Sequence, residues 1–280
     1  MRKTLFSGIA ACLLATAATA AEQSPSVIWT VGQADRSASE FALAPDRFRD
    51  FLANDFGYED KYFLVGHSVP AADFPYVLPG PADTWGGTWP TSGWRTHQIN
   101  ILFGLKEIPS DGTCTLVVDL LDYAKNFLPL VKVSVNTQDA KFQLDAPGLS
   151  VADQRKPNQM EKIVDTLSIT GNLAKATPRR LEIPIRPGVL KAGGNEVTIT
   201  VLEGSWILFD RVSLEGPAGT NVEQPQQLFI RNIEAAPYEL ADGKRRVQPL
   251  LVDLEWLEGA PALSVELDDK EILNQRCLLY

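Results

Sequence analysis

Short segments with a two-residue period, set between turn residues, constrain the fold of this chain more than any other feature. "ILFGL" (Ile101 to Leu105), "CTLVVDLL" (Cys114 to Leu121), "VKVSV" (Val131 to Val135) and "KFQL" (Lys141 to Leu144) come first. "IVDTLSIT" (Ile163 to Thr170), "LEIPI" (Leu181 to Ile185), "NEVTITVL" (Asn195 to Leu202) and "WILFDRVSL" (Trp206 to Leu214) follow. Most are rich in Val, Ile, Thr and Phe. Several alternate apolar with polar positions, as strands with one face in a core and the other in water do. "KAGGN" before Glu196 supplies a tight turn. Helical periodicity is confined to "APDRFRDFLAND", where Pro45 stands near a first turn and Phe48, Phe51 and Leu52 share a face. Many strands, one helix and regular turns predict an all-β fold: an antiparallel β-sandwich of jelly-roll type over residues 22–215.

The two ends read differently. "MRKTLFSGIAACLLATAATAAEQ" has Arg2 and Lys3, an apolar run from Leu5 and small residues before Glu22, the pattern of a secretory signal peptide over 1–21. The expected location is therefore secreted or periplasmic. No later run approaches the roughly 18 apolar residues of a membrane span. Losing Arg2 and Lys3 removes two positive charges and takes the formal net charge from −9 to −11. That charge excludes nucleic acid as a partner, since neutralising phosphates needs clustered Lys and Arg. Residues 216–227, "GPAGTNVEQPQQ", read as a linker. Beyond it, "QLFIRNIEA", "RVQPLLVDLEW" and "ALSVELDD" predict a small or incomplete second β region over 228–280, thin for independent folding. Two cysteines remain after the signal, Cys114 and Cys277. An oxidising compartment allows them to pair and nothing requires it; separate thiols, with Cys114 buried, are the expectation.

Catalytic patterns are scarce. His67 and His97 are too far apart in sequence to form a His-x-x-x-His pair, "GHSVP" lacks the Gly-x-Ser-x-Gly elbow, and no Gly-rich phosphate loop is present. No catalytic residue is assigned. Glu40, Asp119, Asp122 and Asp210 lie in strand-like surroundings and are expected on the solvent face of the sandwich. Glu40 and Asp210 stand near the two ends of the predicted sandwich, whose terminal strands commonly pair. Together with backbone carbonyls they are the candidate ligands for a structural Ca²⁺.

The stretch "DTWGGTWPTSGWRTH" (Asp83 to His97) holds Trp85, Trp89 and Trp94, three of the six tryptophans, among Gly, Thr, Ser and Pro. Trp rings can stack on pyranose faces, and the Arg fork matches a uronate carboxylate. Trp85, Trp89, Trp94, Arg95 and nearby Tyr76 are therefore the candidate carbohydrate-binding residues. Trp29, Trp94 and Trp206 sit at strand positions, where core packing is the alternative role; Trp85 and Trp89 are expected to be exposed on a loop.

"IWTVGQADRSASEFAL" (Ile28 to Leu43), "YFLVG" (Tyr62 to Gly66), "WRTHQINILFGL" (Trp94 to Leu105), "VVDLLD" (Val117 to Asp122) and "LKAGGNEVTITVLEGSWILFDRVSLE" (Leu190 to Glu215) occur in a familiar order. Over Val27 to Glu215 the chain resembles the C-terminal carbohydrate-binding-like domain of the rhamnogalacturonan lyases of polysaccharide lyase family four. The resemblance implies a galactose-binding-like jelly roll that contacts pectin-type or other plant polysaccharide, with the lyase chemistry in a separate preceding domain not seen here. The tail from Gln227 is similar to the start of β domains in large secreted glycoside hydrolases. Three readings follow: a non-catalytic polysaccharide-binding module accessory to a catalytic domain in the same or a longer chain, the front of a larger lyase or glycosidase, or a structural sandwich that binds no sugar.

Overall fold

A computed structural model of the protein describes residues 26–58, 60–87, 97–109, 113–145, 167–259, 262–267 and 270–276. Its strands are β1 (Ser26–Gly32), β2 (Tyr62–Leu64), β3 (Val77–Leu78), β4 (Gln98–Leu105), β5 (Thr115–Tyr123), β6 (Leu130–Val135), β7 (Gln138–Gln143) and β8 (Arg179–Pro184). They continue with β9 (Gly193–Glu203), β10 (Ile207–Gly216), β11 (Val222–Glu223), β12 (Leu228–Ala235), β13 (Leu240–Asp242), β14 (Arg245–Val247) and β15 (Leu250–Trp256). β16 (Ala262–Leu267) and β17 (Lys270–Arg276) close the series, and the four-residue α1 (Pro70–Asp73) is the one α-helix among the described residues.

Two sheets form the sandwich. One has the order β1-β10-β5-β8 with β3 also on β10; the other has β11-β4-β9-β6-β7 with β2 also on β4. All these strand pairs are antiparallel except β2 with β4. The expected pairing of first and last strands occurs: Ser26 lies opposite Gly216 and Gly32 opposite Arg211. Alternation decides which side chains face inward. In β6, Val131, Val133 and Val135 are buried while Lys132 and Ser134 face outward, and in β9 Val197, Ile199 and Val201 alternate with Glu196, Thr198 and Thr200. The buried set joins Trp29, Phe103, Phe209 and Trp206 in one core between the sheets, so Trp29 and Trp206 pack as their strand positions predict. Burying such apolar surface is what stabilises a sandwich.

The predicted helix is corrected. Its segment forms two 3₁₀ turns, Phe48–Asp50 and Leu52–Asn54, ended by Asp55 in the left-handed region. The apolar face survives in shorter form, with Phe48, Phe51 and Phe56 buried. Leu167–Thr170 is likewise a 3₁₀ turn and not a strand. Cys114 is buried and forms no disulfide among the described residues; Cys277 lies outside them.

The strands after residue 227 form two-stranded sheets, β12-β15, β13-β14 and β16-β17. Such pairs need a partner surface, because a lone hairpin is marginal in water. β12 finds one on the outer face of the six-stranded sheet. Phe229 packs with Leu64 and Leu102, and the Arg231 guanidinium reaches Glu196 of β9 at 3.2 Å and Glu255 of β15 at 3.0 Å. Gly194 allows the approach, since a Cβ there would stand 2.2 Å from the Ile230 carbonyl oxygen.

Candidate carbohydrate-binding surface

The aromatic loop starts from a buried anchor. The Asp83 carboxylate accepts the Gly80 N–H at 2.8 Å and the Ser205 hydroxyl at 2.6 Å, and the Ala82 N–H reaches the Gly204 carbonyl at 2.9 Å. These bonds bind the loop to the turn between β9 and β10. The 3₁₀ turn Thr84–Gly86 then presents Trp85. The ring is half-buried, edge-on to Phe48 at 5.1 Å and to Phe51 at 6.0 Å. The expected loop exposure is therefore only half met: the two phenylalanines of the short turns, missed as neighbours because they lie more than thirty residues earlier, hold one side of the indole. Trp89, Trp94 and Arg95 lie outside the described residues.

Tyr76 does not join this surface. It is 1% exposed, and its hydroxyl donates to the Ile169 carbonyl at 2.6 Å. Burial pushes its phenol well above the usual range. The ring serves the core and its hydroxyl ties the 167–170 turn to it, a correction to the sequence expectation, which places Tyr76 among the sugar contacts because it lies near the tryptophan-rich loop.

The acidic residues are also placed differently from a plain solvent face. Asp122 is completely buried, bonded to Lys125 Nζ at 2.7 Å. Asp119 lies on the outer face of the first sheet, where Arg211 approaches at 2.9 Å and Arg180 at 3.5 Å. Glu40 and Asp210 are brought into one neighbourhood by the β1–β10 pairing. Both are occupied by the connecting loop: Glu40 accepts the Gln33 N–H at 2.9 Å and Asp210 the Arg36 N–H at 3.0 Å. Burial, with Asp35, Asp119 and Glu40 nearby, raises the Asp210 carboxyl to about 6. Calcium takes six to eight oxygen ligands, and among the described residues no three His, Cys, Asp or Glu side chains converge. In this arrangement each carboxylate latches the 33–40 loop.

Sequence reasoning missed a polar groove where β12 and β15 meet the outer face of β6 and β9. Ser134 and Thr198, directly opposite in the ladder, lie in it beside Glu196, with Arg231, Asn232 and Asp253 across from them. Its only sequence signal is a set of alternating polar positions, which by itself says only that a strand face meets water.

A family model described as CBM-like, polysaccharide lyase family 4, domain III, matches residues 27–214. No curated protein matches the chain. Among solved structures, a family GH115 4-O-methyl-alpha-glucuronidase with specificity for decorated arabinogalactans aligns at 13% identity and a TM-score of 0.30, over 71% of this chain and 19% of that one. The chain thus spans about a fifth of that structure's length, and a likeness at this score carries no further argument. No helix among the described residues is long and apolar enough to cross a membrane.

Proposed function

We propose that this chain, which belongs to the CBM-like family of polysaccharide lyase family 4 domain III over residues 27–214, is a non-catalytic polysaccharide-binding module. The family membership carries the reading. The module is secreted or periplasmic, and its ligand is a plant polysaccharide of pectin type. Holding a catalytic domain on its polymer raises the effective concentration of substrate, which is the physical benefit of such a module. The aromatic loop is its binding surface. Trp85, fixed on one side by Phe48 and Phe51, offers the rest of its indole to a sugar ring, and Trp89, Trp94 and Arg95 are the further candidate sugar contacts.

Affinity electrophoresis of the full chain in gels containing rhamnogalacturonan, homogalacturonan or galactan tests this. At least one polymer is expected to retard the protein. Trp85→Ala and Trp89→Ala are expected to reduce that retardation several-fold, while Trp85→Ala costs about 2–3 kcal/mol for two lost aromatic edge contacts and the half-buried ring. Retardation by no polymer overturns the reading; large loss of stability with retardation intact makes the loop a structural plug. Incubation with the same polymers is expected to yield no unsaturated products. N-terminal sequencing of exported protein is expected to begin at Ala21 or Glu22, and export with Met1 retained would remove the signal-peptide assignment.

A further inference from the structure

The groove beside β12 has a volume of about 290 Å³, at the lower limit of small-ligand pockets, which run from about 300 Å³ upward. It adjoins a wider cleft of about 700 Å³ that shares Lys191, Arg231 and Asn232 and runs along Glu223 to Ile233. We propose that this continuous groove is a second glycan-binding site, taking an oligosaccharide of neutral sugars. The proposal rests on the polysaccharide-binding reading above and assigns a place and a sugar class that the aromatic loop does not.

Charge selects the class. The smaller cavity carries two cations, Lys191 and Arg231, and two anions, Glu196 and Asp253. The Arg231 guanidinium is already committed, with Glu255 at 3.0 Å, Glu196 at 3.2 Å and Asp253 at 3.9 Å. A uronate would have to displace one of these carboxylates, or pair with Lys191 in the same cavity as Glu196 and Asp253, in either case at a Coulomb cost. A neutral sugar meets no such cost. Each of its hydroxyls both donates and accepts, which suits a lining that alternates the two. Lys191 Nζ has one long bond, 3.5 Å to Asn232 Oδ1, and so retains donor capacity. The carboxylates of Glu196 and Asp253 have acceptor capacity beyond their single contacts with Arg231.

The wall is held in place before any ligand arrives. Phe229 is buried against Leu64 and Leu102, and Gly194 lets the β12 backbone come close to β9. A bound oligosaccharide would touch both β9 and β12 and so fasten the C-terminal strands to the sandwich. Among the described residues no aromatic ring lines the smaller cavity, so affinity rests on hydrogen bonds and a Kd on the order of 1 mM is expected.

The test is titration of the full chain, followed by NMR shifts, with a neutral galactotetraose and separately with tetragalacturonate. Galactotetraose is expected to saturate the protein. Asn232→Ala and Lys191→Ala, both outside the core, are each expected to weaken that binding about tenfold without lowering the melting temperature. Gly194→Ala, which moves the wall without removing a polar group, is expected to weaken it at least as much. Galactotetraose binding equal to wild type in both surface variants overturns the groove and leaves the polysaccharide-binding reading standing. Tetragalacturonate binding that Asn232→Ala abolishes, with no galactotetraose binding, overturns the neutral class. Binding of no glycan, neutral or acidic, overturns the reading and the groove with it.

Discussion

Asp122→Ala is expected to lower the unfolding free energy by about 3–5 kcal/mol, the cost of leaving a buried charge without its partner. The carboxylate is inaccessible to water and accepts from Lys125 Nζ at 2.7 Å, Ser168 Oγ at 2.7 Å, and Thr177 N and Oγ1 at 3.1 Å each. Lys125 is itself buried, its ammonium on the Tyr123 carbonyl at 2.7 Å and 3.2 Å from the centre of the Tyr123 ring. Removing the carboxylate takes the counter-charge from that ammonium and deletes the acceptor shared by Ser168 Oγ and by Thr177 N and Oγ1. Lys125→Met also leaves a buried charge without its counter-ion but is expected to cost less, about 2–3 kcal/mol, because the remaining carboxylate keeps three uncharged donors and Met fills the space of the alkyl stem. Urea unfolding followed by tryptophan fluorescence measures both. A Lys125→Met cost equal to or above that of Asp122→Ala would show that the ammonium, not the carboxylate, organises the cluster. Residues 167–177 would loosen first, since Ser168 and Thr177 fasten them to the end of β5 and Tyr76 fastens Ile169.

The strands were legible because alternation is a local signal. Val131, Val133 and Val135 in β6, or Val197, Ile199 and Val201 in β9, declare an inward face without any knowledge of their neighbours. β5 declares its burial by composition but hides its polar chemistry. The strand is buried at every position after Thr115, so the solvent-facing placement expected for Asp119 and Asp122 is not met, and only the fold shows that one meets two arginines and the other a lysine. β2 has three residues and pairs parallel to β4, too little pattern to read. Trp85 looked free because its neighbours Phe48 and Phe51 come from another segment. The groove was illegible for the same reason. Its floor residues Ser134 and Thr198 and its wall residue Arg231 belong to separate strands, and each alone reads as an ordinary outward-facing position. What the sequence does carry is the family pattern, which spans residues 27–214 and identifies the sandwich as a whole.

Asp210→Asn is expected to stabilise the protein at pH 7–8 by about 1–2 kcal/mol. The carboxyl titrates at about 6 in the fold, raised by burial first and by Asp35, Asp119 and Glu40 after it; in the unfolded chain it titrates near about 3.9. The native state therefore holds this proton more tightly, and stability falls as pH rises from about 4 to about 6. Above that window the full cost of an ionised, half-encircled carboxylate is present; below about pH 4 it vanishes. At about 1.4 kcal/mol per pKa unit the cost is about 2–3 kcal/mol, of which Asn recovers part, because its amide must still be desolvated. The amide oxygen can still accept the Arg36 N–H, so the β10 contact with the 33–40 loop survives the change. Unfolding free energies measured from pH 4 to pH 8 should decline for the wild type relative to Asp210→Asn, and the two curves should meet at the acid end. Calcium and chelator are expected to leave both curves in place. A calcium-dependent rise in melting temperature that Asp210→Asn abolishes would instead make the Glu40–Asp210 neighbourhood a cation site, with the raised carboxyl as its empty form. Parallel curves with no closing toward pH 4 would move the repulsion to a group other than Asp210.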